Sequence, residues 1–346
     1  MIEALVGAGY EVVTAAPADG YEQSLIATGA SFRPIEMRAA KASPIQDLGL
    51  LLNYLKLIRA ERPAIFLGFT AKPNVYGSIA ARLASVPVIA TISGLGSAFL
   101  KGGILGTILL GLYRLALGHA RAVFFQNQAD RELFIARRII RPDQSRLVAG
   151  SGIDLAYFTL AAPAEAADFR FLLIARLLLD KGIGEFVAAA RRIRTLHPDA
   201  RFQLLGGSGG DNPSAVPDVE LARWADESIV ELRGAKDDVR PFIAAAGCIV
   251  LPSYREGLPR SLLEGAAMAR PLIASDVPGC SDVVDDGVTG LLCDVRSASS
   301  LANAMERMLE MTPGDRAKMG AAGRRKVEAG FDQPLVADAY LTEVAR

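Results

Sequence analysis

Cys248-Ile249-Val250-Leu251-Pro252-Ser253-Tyr254-Arg255-Glu256-Gly257-Leu258-Pro259-Arg260-Ser261-Leu262-Leu263-Glu264 is the stretch on which the fold turns. The apolar run Cys248–Leu251 reads as a short buried strand, and the residues from Arg260 onward read as an amphipathic helix. Between them Gly257 permits a close backbone approach, and Pro259 suits a first helical turn. Strand, loop and helix in this order are one unit of a parallel sheet covered by helices.

The same alternation runs outward in both directions. Towards the start, strands are expected at Glu11–Ala16, Ala64–Gly68, Val88–Ile92 and Ala122–Gln126, with helices at Tyr21–Thr28, Gln46–Ala60 and Asn74–Ala84. In the second half, strands are expected at Phe171–Ala175, Arg201–Leu205, Ile229–Leu232, Leu272–Ala274 and Gly290–Cys293. Helices at Gly184–Leu196, Val239–Ala246, Arg260–Met268 and Ser299–Met311 alternate with them. The small and acidic stretch Thr159–Asp168, with Pro163, reads as a linker. This predicts an α/β protein of two Rossmann-like domains at residues 1–160 and 169–330, with a tail at 331–346. A chain of 346 residues is also longer than one core usually organises.

The start departs from the pattern. Met1–Gly9 reads as a helix and Glu11–Ala16 as the next strand, whereas a doubly wound domain begins with a central strand and a loop. The N-terminal domain is therefore expected to lack its first strand, the chain being truncated or begun at an internal methionine.

Apolar residues at 51 % and charged residues at 22 % fit a globular chain and exclude a disordered one. The mean hydropathy of +0.27 points to lipid contact or a large buried interface. Residues 1–160 carry 16 Lys and Arg against 11 Asp and Glu, and residues 161–346 carry 22 against 27. The first half is thus expected to face something anionic. Leu100–Ala120 sets Ile104, Leu105, Ile108, Leu109 and Leu112 in a helical pattern beside Lys101, Arg114 and Arg121; such a face fits either a core or the plane of a membrane. Its apolar run is too short to span a bilayer, which takes about 20 residues. Cys248, Cys280 and Cys293 form no CxxC pair, and the simplest setting is a reducing cytoplasm. Two histidines, His119 and His197, exclude a His-rich metal site. Asp237-Asp238 and Asp285-Asp286 lack alternating Asp-x-Asp spacing and read as turn residues.

Two constellations can carry chemistry. Arg176-Leu177-Leu178-Leu179-Asp180-Lys181-Gly182 directly follows a strand, where open α/β sheets bind ligands, and its two cations could hold a diphosphate without a metal. Glu256 precedes a helix start that offers unpaired N–H groups to an anion, and Glu264 lies eight residues on, roughly 12 Å along the helix. That separation suits two ends of one extended ligand better than a hydrolytic carboxyl pair. Read alone, both constellations also fit capping and surface charge. Gly206-Gly207-Ser208-Gly209-Gly210 follows a strand, but Asp211-Asn212-Pro213 comes where a dinucleotide fold would start a helix; a loop lining a nucleotide pocket is the better reading.

Together these pieces resemble the retaining glycosyltransferases of family four. Glu256 and Glu264 meet the signature Glu-x7-Glu; Arg176, Lys181 and Gly182 meet Arg-x4-Lys-Gly. Phe69-Thr70-Ala71-Lys72-Pro73-Asn74, Ile92-Ser93-Gly94-Leu95-Gly96, Phe125-Gln126-Asn127 and Gly150-Ser151-Gly152-Ile153-Asp154 look like the subgroup that builds bacterial capsule, O-antigen and glycoprotein glycans on polyprenyl diphosphate. Gly206-Gly207 with Asp211-Asn212-Pro213, and Gly234 with Asp238, are similar to bacterial N-acetylgalactosaminyltransferases of that kind. The resemblance implies the GT-B fold, two Rossmann-like domains facing across a cleft, with the tail crossing back to the first domain. It implies transfer of a hexose or N-acetylhexosamine from a UDP-sugar to a lipid-linked glycan, by a peripheral enzyme on the cytoplasmic face of the membrane. Neither a metal cofactor nor nucleic acid is implied. Arg176 and Lys181 would grip the diphosphate, Glu256 the transferred sugar and Glu264 the ribose. Gly257 and Leu258 would approach sugar or phosphate, while Gly206, Gly207 and Gly234 would line the donor pocket. The acceptor would meet Lys72, Gly94 and Gly96. Asp282 stands where many relatives have glutamate. The alternatives are a UDP-sugar epimerase of the same fold and an inactive binding subunit.

Overall fold

Strands that are apolar along their whole length bury both faces, and parallel sheets are built from them. Here Val88–Ile92, Ala122–Phe125, Cys248–Leu251 and Leu272–Ser275 are buried at every position. The computed structural model describes residues 1–37, 44–95, 103–162, 169–210 and 212–346. They fall into two compact units: Met1–Ser151 with Gln333–Arg346, and Gly152–Asp332.

In the first unit α1 (Ile2–Gly7) leads to β1 (Val13–Ala16), α2 (Glu22–Ala27) and β2 (Ser31–Pro34). Next come α3 (Pro44–Glu61), β3 (Phe66–Phe69), a wide π turn at Pro73–Gly77, α4 (Ser78–Leu83) and β4 (Val88–Ile92). Then follow α5 (Gly103–Leu117), β5 (Ala122–Phe125), α6 (Gln128–Ala136) and β6 (Ser145–Leu147). β1 and β2 pair in parallel with each other, while β3-β4-β5-β6 form a separate parallel sheet. Among the described residues no strand is hydrogen-bonded between β1 and β3, the place that a doubly wound order gives to its first strand.

Two strands of this unit, β2 and β6, escape the apolar pattern because they are short and mostly polar or exposed. The helix expected at Asn74–Ala84 divides into the π turn and α4, with the Phe66 ring filling the space beside Gly77. α5 turns Leu109, Leu110, Leu112, Tyr113, Ala116 and Leu117 onto the unit's core and leaves Ile108 and Leu115 exposed. The face expected from its sequence is therefore split between core and surface. Among the described residues no helix is long and apolar enough to cross a membrane.

The second unit runs β7 (Arg170–Ile174), α7 (Ile183–Leu196), β8 (Arg201–Leu205), α8 (Asp218–Asp226), β9 (Glu231–Gly234), α9 (Arg240–Ala245) and β10 (Cys248–Leu251). It continues with α10 (Arg260–Ala267), β11 (Leu272–Ser275), α11 (Cys280–Val283), β12 (Gly290–Cys293), α12 (Ala298–Glu310) and α13 (Pro313–Gly330). One parallel sheet holds the order β12-β11-β10-β7-β8-β9. The first strand therefore sits beside the fourth, and the connections diverge from that point. β9 starts two residues later than the sequence suggests, because Val230 is buried ahead of an edge strand that is itself exposed.

The domain boundary needs correction. Residues 152–160, expected in the first domain, pack in the second unit: Ile153 N–H donates to the Phe331 carbonyl at 2.8 Å, and Phe158 is buried in that unit's core. The boundary at the other end falls after Asp332, and α14 (Gln333–Ala345) belongs to the first unit. There the Tyr340 ring lies 4.4 Å from Phe124, and its hydroxyl is 2.8 Å from Thr91 Oγ1. Tyr340 is 2 % exposed. Tyr340→Ala is expected to cost about 3–5 kcal/mol, the usual range for deleting a buried aromatic ring, read as a fall in denaturant midpoint.

Candidate active site

Ligands of open α/β sheets bind outside the carboxyl ends of the strands where the connections diverge. In the second unit that place lies between β7 and β10, at the loops that follow these strands. The β7 loop is held on one side by β8. Ala175 N–H donates to the Leu205 carbonyl at 3.0 Å and Leu177 N–H to the Gly207 carbonyl at 2.9 Å. Gly206 N–H in turn donates to the Gly234 carbonyl at 3.0 Å. A Cβ on Gly206 would lie 1.8 Å from the Ala175 carbonyl oxygen, so only glycine fits. Gly207 and Gly234 meet no such obstacle, although Gly234 takes a φ of +68° that favours glycine. Arg176 follows in this loop, exposed, and among the described residues no hydrogen bond or ion pair ties its side chain.

The β7 loop is joined on its other side to the β10 loop. Leu179–Lys181 form one tight turn, closed by Gly182 at a φ of +71°. A Cβ on Gly182 would stand 2.0 Å from the Pro252 carbonyl oxygen. The Asp180 carbonyl accepts from Tyr254 N–H at 2.9 Å and from the buried Ser253 hydroxyl at 3.2 Å. Across this seam Lys181 Nζ donates to Glu256 Oε1 at 2.6 Å, with the two side chains 23 % and 13 % exposed. Two residues 75 apart in sequence, each assigned to the donor site from its own motif, are therefore in direct contact.

A third loop closes against Glu256. Gly279 has a φ of +86°, and a Cβ there would lie 2.7 Å from the Gly257 carbonyl oxygen and 2.8 Å from that of Glu256. Asp282 accepts from Gly279 N–H at 2.9 Å and so fixes this turn. Gly257 is buried, and Leu258 packs on the core cluster under α10.

Glu264 lies in α10, buried to 9 % exposure, with Arg260 Nε at 3.3 Å. Burial raises its pKa, and Arg260 opposes the rise. Tyr254 donates its hydroxyl to Glu185 at 2.7 Å and lies under the Arg296 guanidinium. Burial first, and the bond to Glu185 second, push its phenol up to about 12.

In the first unit Lys72 Nζ donates to Asp47 at 2.9 Å, so the cation expected on the acceptor side already has a carboxylate partner. Gly94 takes a φ of +117° just after β4. Gly96 lies outside the described residues, as do Ser97, Lys101, Asp211 and the linker segment 163–168. Thr70, at a φ of +65°, and the π turn give the Phe69–Asn74 stretch an uncommon backbone. Asn74 is buried beneath it and donates to the Thr91 carbonyl at 2.7 Å.

Sequence motifs miss the parts that hold these side chains in place: Ser253, Gly279, Asp47 and the Tyr254–Glu185 pair. Only Pro278-Gly279 carries a local turn signal. The paired aspartates are in turns with partners of their own: Asp238 with Arg240 at 2.8 Å, Asp285 with Lys326 at 2.8 Å. Among the described residues no group of three or more His, Cys, Asp or Glu is placed to hold a metal.

Two family models divide the chain much as the fold does. A glycosyl transferase 4-like domain matches residues 1–150, and glycosyl transferases group 1 matches residues 168–311. The chain belongs to the glycosyltransferases. A diacetylbacillosaminyl-diphospho-undecaprenol α-1,3-N-acetylgalactosaminyltransferase of Campylobacter jejuni is 26 % identical, over 99 % of this glycosyltransferase and 92 % of that protein. An Escherichia coli UDP-Gal:α-D-GlcNAc-diphosphoundecaprenol α-1,3-galactosyltransferase is 26 % identical over 78 % of the chain and 72 % of its own length. Among solved structures, Anabaena HepE in complex with UDP and glucose superposes with a TM-score of 0.82 at 18 % identity, covering 99 % of this chain and 94 % of that one. Sucrose-phosphate synthase from Thermosynechococcus elongatus gives 0.80 at 22 %, covering 98 % and 90 %. The fold of the glycosyltransferase is thus GT-B.

The buried Glu264 gives this site a pH signature. Its carboxyl binds a proton more tightly folded than unfolded, so its ionisation weakens the fold as pH rises above the ordinary value of 4.5. Glu264→Gln is expected to match the parent in melting temperature below that pH, to rise above it as pH passes through the raised range of the carboxyl, and to keep a level advantage beyond that range. Parallel melting curves across pH check this, and an advantage already present below the ordinary value, or none at higher pH, contradicts it.

Proposed function

We propose that this glycosyltransferase moves a hexose or N-acetylhexosamine from a UDP-sugar to a glycan carried on polyprenyl diphosphate, with retention at the anomeric carbon. The observation that carries the reading is the Lys181–Glu256 contact at the divergence point of the second sheet. It sets a cation for a diphosphate beside a carboxylate for sugar hydroxyls. Lys181, joined by the unpaired Arg176, would hold the diphosphate and stabilise it as negative charge develops on the leaving nucleotide. Binding would exchange one anionic partner of Lys181 for another, freeing Glu256 to accept from the sugar. Glu264 would accept from the ribose, and the peptide groups of Gly257 and Leu258 would approach the sugar or phosphate. Gly206, Gly207 and Gly234 leave room for the nucleotide along the ends of β8 and β9. The bond from the anomeric carbon to the diphosphate breaks, the bond to the acceptor oxygen forms on the same face, and the acceptor proton leaves on the diphosphate. No step in this reading requires a metal.

The lipid-linked acceptor is supported by the C. jejuni and E. coli relatives, both named for transfer to sugars on undecaprenyl diphosphate. A capsular polysaccharide glycosyltransferase of Staphylococcus aureus, 23 % identical over 84 % of the chain and 78 % of its own length, supports a role in surface glycan assembly. Gly94 and Gly96 remain the acceptor-side residues of this reading, with Lys72 positioned by Asp47. The basic balance of residues 1–160 and the exposed Ile108 and Leu115 on α5 support peripheral contact with an anionic cytoplasmic membrane face.

UDP release from a panel of UDP-sugars, with polyprenyl-diphosphate sugars as acceptors, tests this directly. Lys181→Ala and Glu256→Ala are each expected to lower kcat/KM by about 100-fold or more, the scale of one lost transition-state contact. Rates equal to the parent in both variants would overturn the site assignment.

A further inference from the structure

The second unit has another recess at the opposite ends of its strands, and its lining is cationic. A cavity of about 70 Å³ lies among Phe169, Gly247, Arg270, Pro271, Pro313 and Arg316. Phe169, Gly247 and Pro271 each stand at the amino-terminal entry to a strand, namely β7, β10 and β11. The donor residues follow the carboxyl ends of β7 and β10, so the two places are on opposite edges of one sheet. The volume is several times the roughly 10–15 Å³ that admits one water, and leaves room for one tetrahedral oxyanion.

Arg270 is the unusual member. It is 2 % exposed, its buried Nε has no hydrogen-bond partner among the described residues, and one terminal nitrogen donates to the Ala162 carbonyl. A guanidinium carries five N–H donors, and a buried one left short of partners is costly. Arg316 lies over the Phe169 ring at 4.7 Å and uses one terminal nitrogen to cap the Met308, Leu309 and Met311 carbonyls. Among the described residues no carboxylate lines the cavity. Burial lowers the pKa of both arginines. Pro313, Arg316 and Ala317 belong to the opening turns of the 18-residue α13, whose amino-terminal dipole favours an anion. The acid of that turn, Asp315, is engaged by Thr312 and Lys318.

We infer that this recess binds one phosphate- or sulfate-sized oxyanion, free or as the phosphate group of a larger molecule, through Arg270, Arg316 and the start of α13. The anion supplies the acceptors that the Arg270 fork lacks and balances two guanidiniums in one step. The site is separate from the donor pocket and would be filled alongside it.

Calorimetry of the whole chain with inorganic phosphate, in the presence of saturating UDP, tests the inference. One phosphate is expected to bind per chain, and a hundredfold excess over its Kd to raise the melting temperature by about 5 °C. Arg270→Met is expected to weaken phosphate at least about tenfold while leaving UDP affinity unchanged. Should that variant not fold, Arg270→Lys carries the test, since it keeps the charge without the fork and must weaken phosphate while UDP binding persists. Glycerol phosphate binding as tightly as inorganic phosphate assigns the site to an esterified group, and binding of inorganic phosphate alone assigns it to the free ion. Absence of phosphate binding to the parent chain, or equal affinity in the folded Arg270 variant, overturns the inference.

Discussion

The backbone contact between Gly182 and the Pro252 carbonyl is the constraint on which the candidate site depends. The Cβ position of residue 182 would be 2.0 Å from that oxygen. The first and fourth strands of the second sheet therefore end in loops pressed together without an intervening side chain. Ser253 and the Tyr254 N–H, both bonded to the Asp180 carbonyl, fasten the seam. The result is that Lys181 and Glu256 must face each other. Neither side chain selects that arrangement by itself; the seam beneath them does.

An ion pair at 2.6 Å, with side chains 23 % and 13 % exposed, is intermediate between a surface pair and a buried one. Its value to stability is accordingly modest, and its chemical use is greater. A diphosphate brought to Lys181 would put negative charge beside Glu256, which is tolerable only if Glu256 gives up the ammonium and finds hydroxyl donors instead. Sugar binding and diphosphate binding would then be coupled through one exchange of partners. Gly279, held by Asp282 against the peptide carbonyls of Glu256 and Gly257, limits how far this loop can shift during the exchange.

Much of this is legible in the sequence because β7, β10 and β11 are mostly apolar, largely buried runs, and the motif residues follow β7 and β10 directly. β2 and β9 were harder: their residues are largely exposed, so burial leaves no alternation to read. The domain boundary was misplaced by several residues because Ile153 and Phe158 are held by contacts with Phe331 and Arg324, more than 150 positions away in sequence. The acceptor-side motif names Lys72 without its partner Asp47, which lies 25 residues earlier on α3. The motifs place Lys181 and Glu256 in one site without pairing them. Their direct pairing depends on the packing of Gly182, which no local pattern encodes.

The central claim is that Lys181 recognises a diphosphate and does so by exchanging Glu256 for it. The most direct measurement compares the affinities of UDP and uridine for the parent chain and for Lys181→Met. The account predicts that UDP binds the parent about 100-fold or more tightly than uridine, on the scale of charge-assisted contacts, and that the substitution removes at least about tenfold of that preference while uridine affinity holds. An unchanged UDP-to-uridine ratio in the variant would contradict it.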